Sequence, residues 1–209
     1  YEIGVRLVGS EMCIRDSNEI KIRAAKAEDA KALLNIYEPY VRNTAVTFEY
    51  EVPSLQTFAE RICNVLDKYP YLLAEKNGEV LGYAYADSFH ERAAYKWAAE
   101  TSVYIKMNKR RSGIGKILYN ELENILKTQG ILNLNACIAC LSKKDEHISD
   151  DSLVFHKKCG YKYVGKFHKC GYKFNKWYDM VWMEKHIGSH TSNPVSYTHL
   201  RAHETDSYL

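Results

Sequence analysis

The chain is 209 residues long, enough for one domain with a sizeable core. Its net charge of +3 is too weak to argue for nucleic acid, and no stretch reaches the roughly 20 apolar residues of a membrane span. Six cysteines, at 13, 63, 137, 140, 159 and 170, are scattered rather than framed, which suits a reducing cytoplasm better than a disulfide scaffold.

Residues 1–17 and 188–209 have no apolar period and read as a non-native or disordered leader and tail. Between them, 20–23 alternates as a half-buried strand does. Residues 28–42 put Ala30, Leu33, Leu34, Tyr37 and Val41 on one helical face, with Pro39 expected to kink or end the helix. Residues 45–51 are strand-like. Ser54 is placed to cap a second helix carrying Leu55, Phe58, Ile62, Val65 and Leu66. Two strands, 71–76 and 79–87, flank Asn77-Gly78, the strongest hairpin signal in the chain. A strand over 101–106 runs into a helix over 113–129 that Gly130 closes. A strand at 132–140, a short helix at 151–159 and two antiparallel strands at 163–173 and 179–184 complete the order. The strand–helix–strand succession over 101–140 implies one parallel crossover in a largely antiparallel sheet. One α/β domain over 18–187 is expected.

The informative stretch is the junction at 100–116. A β-branched, aromatic strand, Glu100-Thr101-Ser102-Val103-Tyr104-Ile105, ends in the basic turn Arg110-Arg111-Ser112-Gly113-Ile114-Gly115-Lys116. Such a turn directs backbone N–H groups outward at a helix N-terminus, where the partial positive charge favours an anion by roughly 0.3–1 kcal/mol. A dinucleotide fingerprint would need glycine where Leu118 stands. A P-loop would need glycine at Arg110 and Ser or Thr at Ile117. What remains is R-x-x-G-x-G after a strand, which suits a pyrophosphate, with a basic turn capping a surface helix as the plainer alternative.

Three further signals surround it. Glu100, among Trp97, Ala98 and Ala99, is a carboxylate poorly served by water, which raises its pKa toward that of a general base; an edge-of-strand glutamate paired with a lysine is the plainer alternative. His156 can move a proton near neutrality, or simply pack on a short helix. Arg92 and Tyr95 lie on a loop with donors suited to an anionic substrate group, though a solvated arginine explains them equally. Cys137-x-x-Cys140 with His156, Cys159, His168 and Cys170 supplies zinc-type ligands. An odd separation on a strand splits the first pair between faces, so core cysteines and no metal is the better reading.

Taken together these segments resemble the GNAT-type N-acetyltransferases, in particular the phosphinothricin and methionine sulfone (sulfoximine) acetyltransferase branch. The likeness runs over Asn43-Thr44-Ala45-Val46-Thr47-Phe48-Glu49, Tyr69-Pro70-Tyr71, Arg92-Ala93-Ala94-Tyr95, the 100–115 junction, the stretch from Ser152 to Tyr161, and Gly171-Tyr172-Lys173 with Trp177-Tyr178-Asp179. The resemblance implies a mixed, mostly antiparallel sheet splayed at the cofactor site, with helices on both faces. It implies acetyl-CoA as co-substrate and a small amino-acid-like acceptor, bound by a cytoplasmic enzyme that forms a homodimer. Glu100 falls where that branch has its general base, and His156 where others have a tyrosine that protonates the thiolate. Val103, Tyr104 and Ile105 would hold the pantetheine arm by their backbone, and Arg110, Arg111, Ser112, Gly113, Ile114, Gly115 and Lys116 the pyrophosphate. Ser149, in place of a usual asparagine, and Ser152 would add contacts to the cofactor. Phe48, Arg92, Tyr95 and Lys96 would line the acceptor pocket. A polyamine or protein N-terminus as acceptor, or a non-catalytic coenzyme A-binding or zinc-binding module, are the alternatives.

Overall fold

The computed structural model describes residues 20–141 and 145–194; the expected leader, most of the expected tail and part of the 141–151 loop lie outside the described residues. Seven strands form one sheet in the order β1-β2-β3-β4-β5-β7-β6. They are β1 Lys21–Ala24, β2 Tyr71–Lys76, β3 Glu79–Ser88, β4 Ala98–Ile105, β5 Asn133–Cys140, β6 Lys162–Lys173 and β7 Lys176–His186. The helices are α1 Ala30–Asn43, α2 Leu55–Leu66, α3 Ile114–Thr128 and α4 Asp151–Lys158. All neighbouring strands are antiparallel except β4 and β5, which run parallel through the α3 crossover.

Local chemistry accounts for the element ends. Asn77 and Gly78 both take positive φ, 53° and 78°, as the two-residue turn between β2 and β3 requires. The Ser54 hydroxyl accepts from the Thr57 N–H and caps α2. Gly130 and Gly160 lie at φ 85° and 91° just past α3 and α4, a conformation that costs glycine nothing.

Helix α1 runs through Pro39 to Asn43, close to its expected end, and Tyr40 and Val41 stay buried on the same face as Leu33, Ile36 and Tyr37. One expectation fails for a tertiary reason. Residues 45–51 form no strand, because their backbone finds other partners. The Ala45 N–H donates to the His147 carbonyl, and the buried Lys173 ammonium donates to the carbonyls of Val41, Thr44 and Thr47 at 2.7, 2.9 and 2.8 Å. Strand β4 begins at Ala98, three residues before its expected start.

Strand alternation assigns the layers. Tyr83 and Tyr104, opposite one another on β3 and β4, meet Tyr37 and Tyr40 of α1. Thr101, on the other face of β4, bonds Tyr161, whose ring packs on Tyr119 of α3. Helices α1 and α2 therefore cover one face and α3 with α4 the other. A small second core joins Ala45, Ala139, Ile148 and Tyr178 at one end of the sheet, with Phe48 and Phe174 against it.

Candidate active site

Strands β4 and β5 pair only at Ala98↔Asn133, Ala99↔Leu134 and Glu100↔Asn135. Beyond Glu100 they part, so the backbone edges of 101–105 and 136–140 face each other across a gap. A cavity of about 660 Å³ fills this gap. Its walls include Val103 and Ile105 of β4, and Cys137, Ile138 and Ala139 of β5. At one end stand Lys109 to Lys116 with Ser149, Asp151, Ser152 and Phe155; Tyr40 and Val46 also line it. Because α1 and α3 lie on opposite faces, the cavity passes through the sheet.

The turn entering α3 is built for an anion. Arg111 and Gly113 adopt positive φ, 61° and 86°. For arginine this is a sparsely populated conformation, of the kind that turns successive N–H groups toward a common point. The first turn of α3 then adds N–H groups with no intrahelical partner. The two glycines answer different needs. Gly113 supplies the left-handed conformation, whereas a Cβ on Gly115 would come within 3.1 Å of the Phe155 ring on α4. The turn and α4 thus close on each other as the two jaws of one cleft end. Arg110 and Arg111 reach across it, each donating to Asp151 at 2.8 Å.

On β4, the Tyr40 hydroxyl donates to the Ile105 carbonyl at 2.6 Å. Val103 and Ile105 present side chains to the cavity, whereas Tyr104 packs among Tyr37, Tyr40 and Tyr83. Only the backbone of Tyr104 could meet a ligand in the gap.

Glu100 is the last β4 residue paired with β5. It is half-buried opposite Asp87 on β3, and burial first, then the Asp87 charge, raises its pKa. It is set back from the cavity wall behind Cys137, whose thiol is pushed up to about 12 by burial and by the Glu100 charge. The thiol lies 2.7 Å from the Met180 sulfur.

The predicted acceptor residues lie apart from the anion turn. Arg92 and Tyr95 are exposed on the β3–β4 connection, where Tyr95 forms an aromatic group with Phe89 and His90, and Phe89 meets Trp182 of β7 edge-on. Trp182 is the β7 partner of Cys137, so this group borders the same end of the gap. Lys96 lies over the Trp97 ring at 4.4 Å. Phe48 packs on the β6–β7 hairpin, where a Cβ on Gly171 would overlap its ring.

His156 departs most from expectation. It is 4 % exposed and is not part of the cavity wall. Its Nδ1–H donates to the Ser152 carbonyl at 2.8 Å, and its Nε2 accepts from the Tyr119 hydroxyl at 3.0 Å. Burial pushes its pKa down to about 4, so the ring is neutral at pH 7. On α4 it is Phe155, one residue earlier, that faces the cavity.

Several lining residues gave no sequence signal. Cys137, Ile138 and Ala139 read as core strand, and only the parting of β4 from β5 turns them into a wall. Tyr40, Val46 and Asp151 come from elements far away in the chain.

Comparison with known proteins agrees with this geometry. Residues 22–182 match the family model described as an acetyltransferase (GNAT) domain. A phosphinothricin N-acetyltransferase of Streptomyces viridochromogenes is 31% identical over 166 residues, covering 79% of this chain and 87% of that protein. The L-methionine sulfoximine/L-methionine sulfone acetyltransferase of Pseudomonas paraeruginosa is 29% identical, over 83% of this chain and 98% of its own. Among solved structures, the phosphinothricin acetyltransferase of Sinorhizobium meliloti in complex with acetyl-CoA superposes with a TM-score of 0.76 at 31% identity, covering 84% of this chain and 93% of that one. The parted strands, the glycine turn and these relatives lead to one conclusion: the chain belongs to the GNAT family and is an N-acetyltransferase.

Proposed function

We propose that this enzyme moves an acetyl group from acetyl-CoA to the amine of a small amino-acid-like acceptor, of the phosphinothricin, methionine sulfone or methionine sulfoximine type. The observation that carries the reading is the gap between β4 and β5, with an anion-binding turn at one end and a desolvated carboxylate beside it. The residues fit the donor. Arg110, Arg111, Lys116 and the α3 N-terminus suit its diphosphate, and Ser149 and Ser152 line the same end. The unpaired backbone edge at 103–105 suits an amide-bearing pantetheine arm laid in like a strand.

When bound, acetyl-CoA supplies an activated thioester. Glu100 takes the proton from the acceptor ammonium, directly or through water, and its raised pKa makes it a stronger base than a solvated carboxylate. The freed amine would then attack the acetyl carbonyl directly, without an acyl-enzyme. The C–S bond breaks, coenzyme A leaves as the thiolate, and the amine's second proton passes to that thiolate or to solvent. Arg92 and Tyr95 receive the anionic end of the acceptor, with Phe48 and Lys96 near it. His156 is neutral and engaged at both nitrogens, so we assign it to holding α4 against α3 rather than to proton transfer. The free thiols support a reducing, cytoplasmic setting. The exposed aromatics Tyr163, Phe167 and Trp177 on β6 and β7 support a homodimer.

Thiol release from acetyl-CoA, measured against a panel of amino acids, methionine sulfone, phosphinothricin and spermidine, tests the acceptor class; turnover confined to spermidine sinks it. With the best acceptor, Glu100→Gln is expected to lower kcat by roughly 10²-fold while acetyl-CoA affinity stays unchanged. Unchanged turnover at pH 7 removes Glu100 from the mechanism.

A further inference from the structure

Asp151 sits inside the cofactor end of the cleft, as the first residue of α4 and part of the cavity wall. Both its carboxylate oxygens are taken. Oδ2 accepts from Arg110 Nη2 and Oδ1 from Arg111 Nη2, each at 2.8 Å. These arginines come from the turn about 40 residues earlier, so the two ion pairs span the cleft from one jaw to the other. One nitrogen of each arginine is therefore already committed to an anion belonging to the protein, and each guanidinium is turned toward it. Arg111 is otherwise well exposed, and Asp151 holds it in one orientation.

We infer that Asp151 is a built-in counter-anion that sets the affinity of this site for its diphosphate-bearing substrate and speeds the departure of coenzyme A. The inference rests on the cofactor reading given above. A bound diphosphate has to share Arg110 and Arg111 with the carboxylate or take them from it, and it also has to sit beside a like charge that stays in the cavity wall. Both effects weaken binding, and both act on product coenzyme A as strongly as on acetyl-CoA, since the two share the diphosphate. They do not act on the thioester end, which the cofactor reading puts farther along the gap, toward Val103 and Cys137 of the cavity wall. Asp151 is therefore a positioning residue for the arginines and an affinity-setting residue for the cofactor, with no part in the chemical step. Its carboxyl is held below the ordinary range, first by Arg111, so the charge is present throughout the working pH range.

The test is calorimetric titration of acetyl-CoA, coenzyme A and S-acetyl-pantetheine into the wild type, Asp151→Asn and Asp151→Ser. Glu60→Gln on the surface of α2 serves as a net-charge control. Each exposed ion pair given up is worth up to a few-fold in an equilibrium constant. The Asp151 variants are accordingly expected to bind acetyl-CoA and coenzyme A roughly three- to tenfold more tightly, and S-acetyl-pantetheine, which lacks the diphosphate, as the wild type does. Stopped-flow displacement should show slower coenzyme A release, and the salt dependence of binding should steepen. Equal or weaker coenzyme A binding by both variants, beside measurable wild-type binding, overturns the proposal and leaves the cofactor reading standing. Equal tightening of the pantetheine thioester also overturns it, because the effect would not belong to the diphosphate. Absence of acetyl-CoA binding by every protein overturns both.

Discussion

Asp87 stands directly across β3 and β4 from Glu100, so two carboxylates share one end of the parted strands. Removing the Asp87 charge lets Glu100 ionise more readily. In Asp87→Asn the acid limb of the kcat/KM profile should therefore move to lower pH, modestly because Asp87 is exposed and screened. A limb that does not move means that Asp87 does not tune the base. At this scale the sequence was legible where a residue's role follows from its immediate neighbours. Glu100 could be singled out as a candidate because it stands near the start of a strand that runs straight into a glycine turn. Asp151 could not, because its partners lie in another element. His156 misled, because a one-residue rotation on a short helix decides which side chain faces the cleft, and that position belongs to Phe155.

At the scale of elements, the loop 44–49 is held by side chains rather than by a ladder. Lys173 spends all three ammonium protons on the carbonyls of Val41, Thr44 and Thr47. Asp145 accepts from the backbone of His147 and Ile148, from Lys176 and from the Tyr178 hydroxyl, and the His147 ring stacks on Phe174 at 3.8 Å. Lys173→Met would strand three carbonyls, and chemical denaturation should report a loss of about 3 kcal/mol. A loss under 1 kcal/mol means that water takes over the ammonium's role. The β-like pattern of 45–51 looked convincing in isolation because apolar alternation says nothing about which groups will claim the backbone. The α1 pattern was legible throughout, and the helix passes Pro39 because burial of Tyr40 and Val41 outweighs one missing hydrogen bond. The hairpin, the Ser54 cap and the α3 start followed from residues adjacent to them, and so appeared where expected.

At the scale of the whole molecule, the sheet is two half-sheets, β1–β4 and β5–β7, joined by three residue pairs and by the α3 crossover. His156 lies where α4 meets α3, with Tyr119, Phe155 and Tyr161 around its ring. Its folded-state pKa of about 4 lies below the ordinary 6.5, so the unfolded chain binds the proton more readily. Stability is expected to fall as pH drops from 6.5 toward 4, with no further loss from this group below that. Between pH 7 and pH 5 the loss is about 2 kcal/mol. Thermal melts of the wild type and His156→Gln across this window check it: the wild type should lose Tm on acidification more steeply than the variant. Parallel curves would mean that other groups dominate acid unfolding.

A cavity lined from both faces of the sheet can separate the tasks that a one-sided pocket would have to combine. In the proposed reading, one end holds the carrier by features every acyl donor of its class shares, and the other end is left to the amine. Residues around that other end can change to suit a new nitrogen nucleophile while the hold on the carrier stays intact. One scaffold can thereby serve many acceptors.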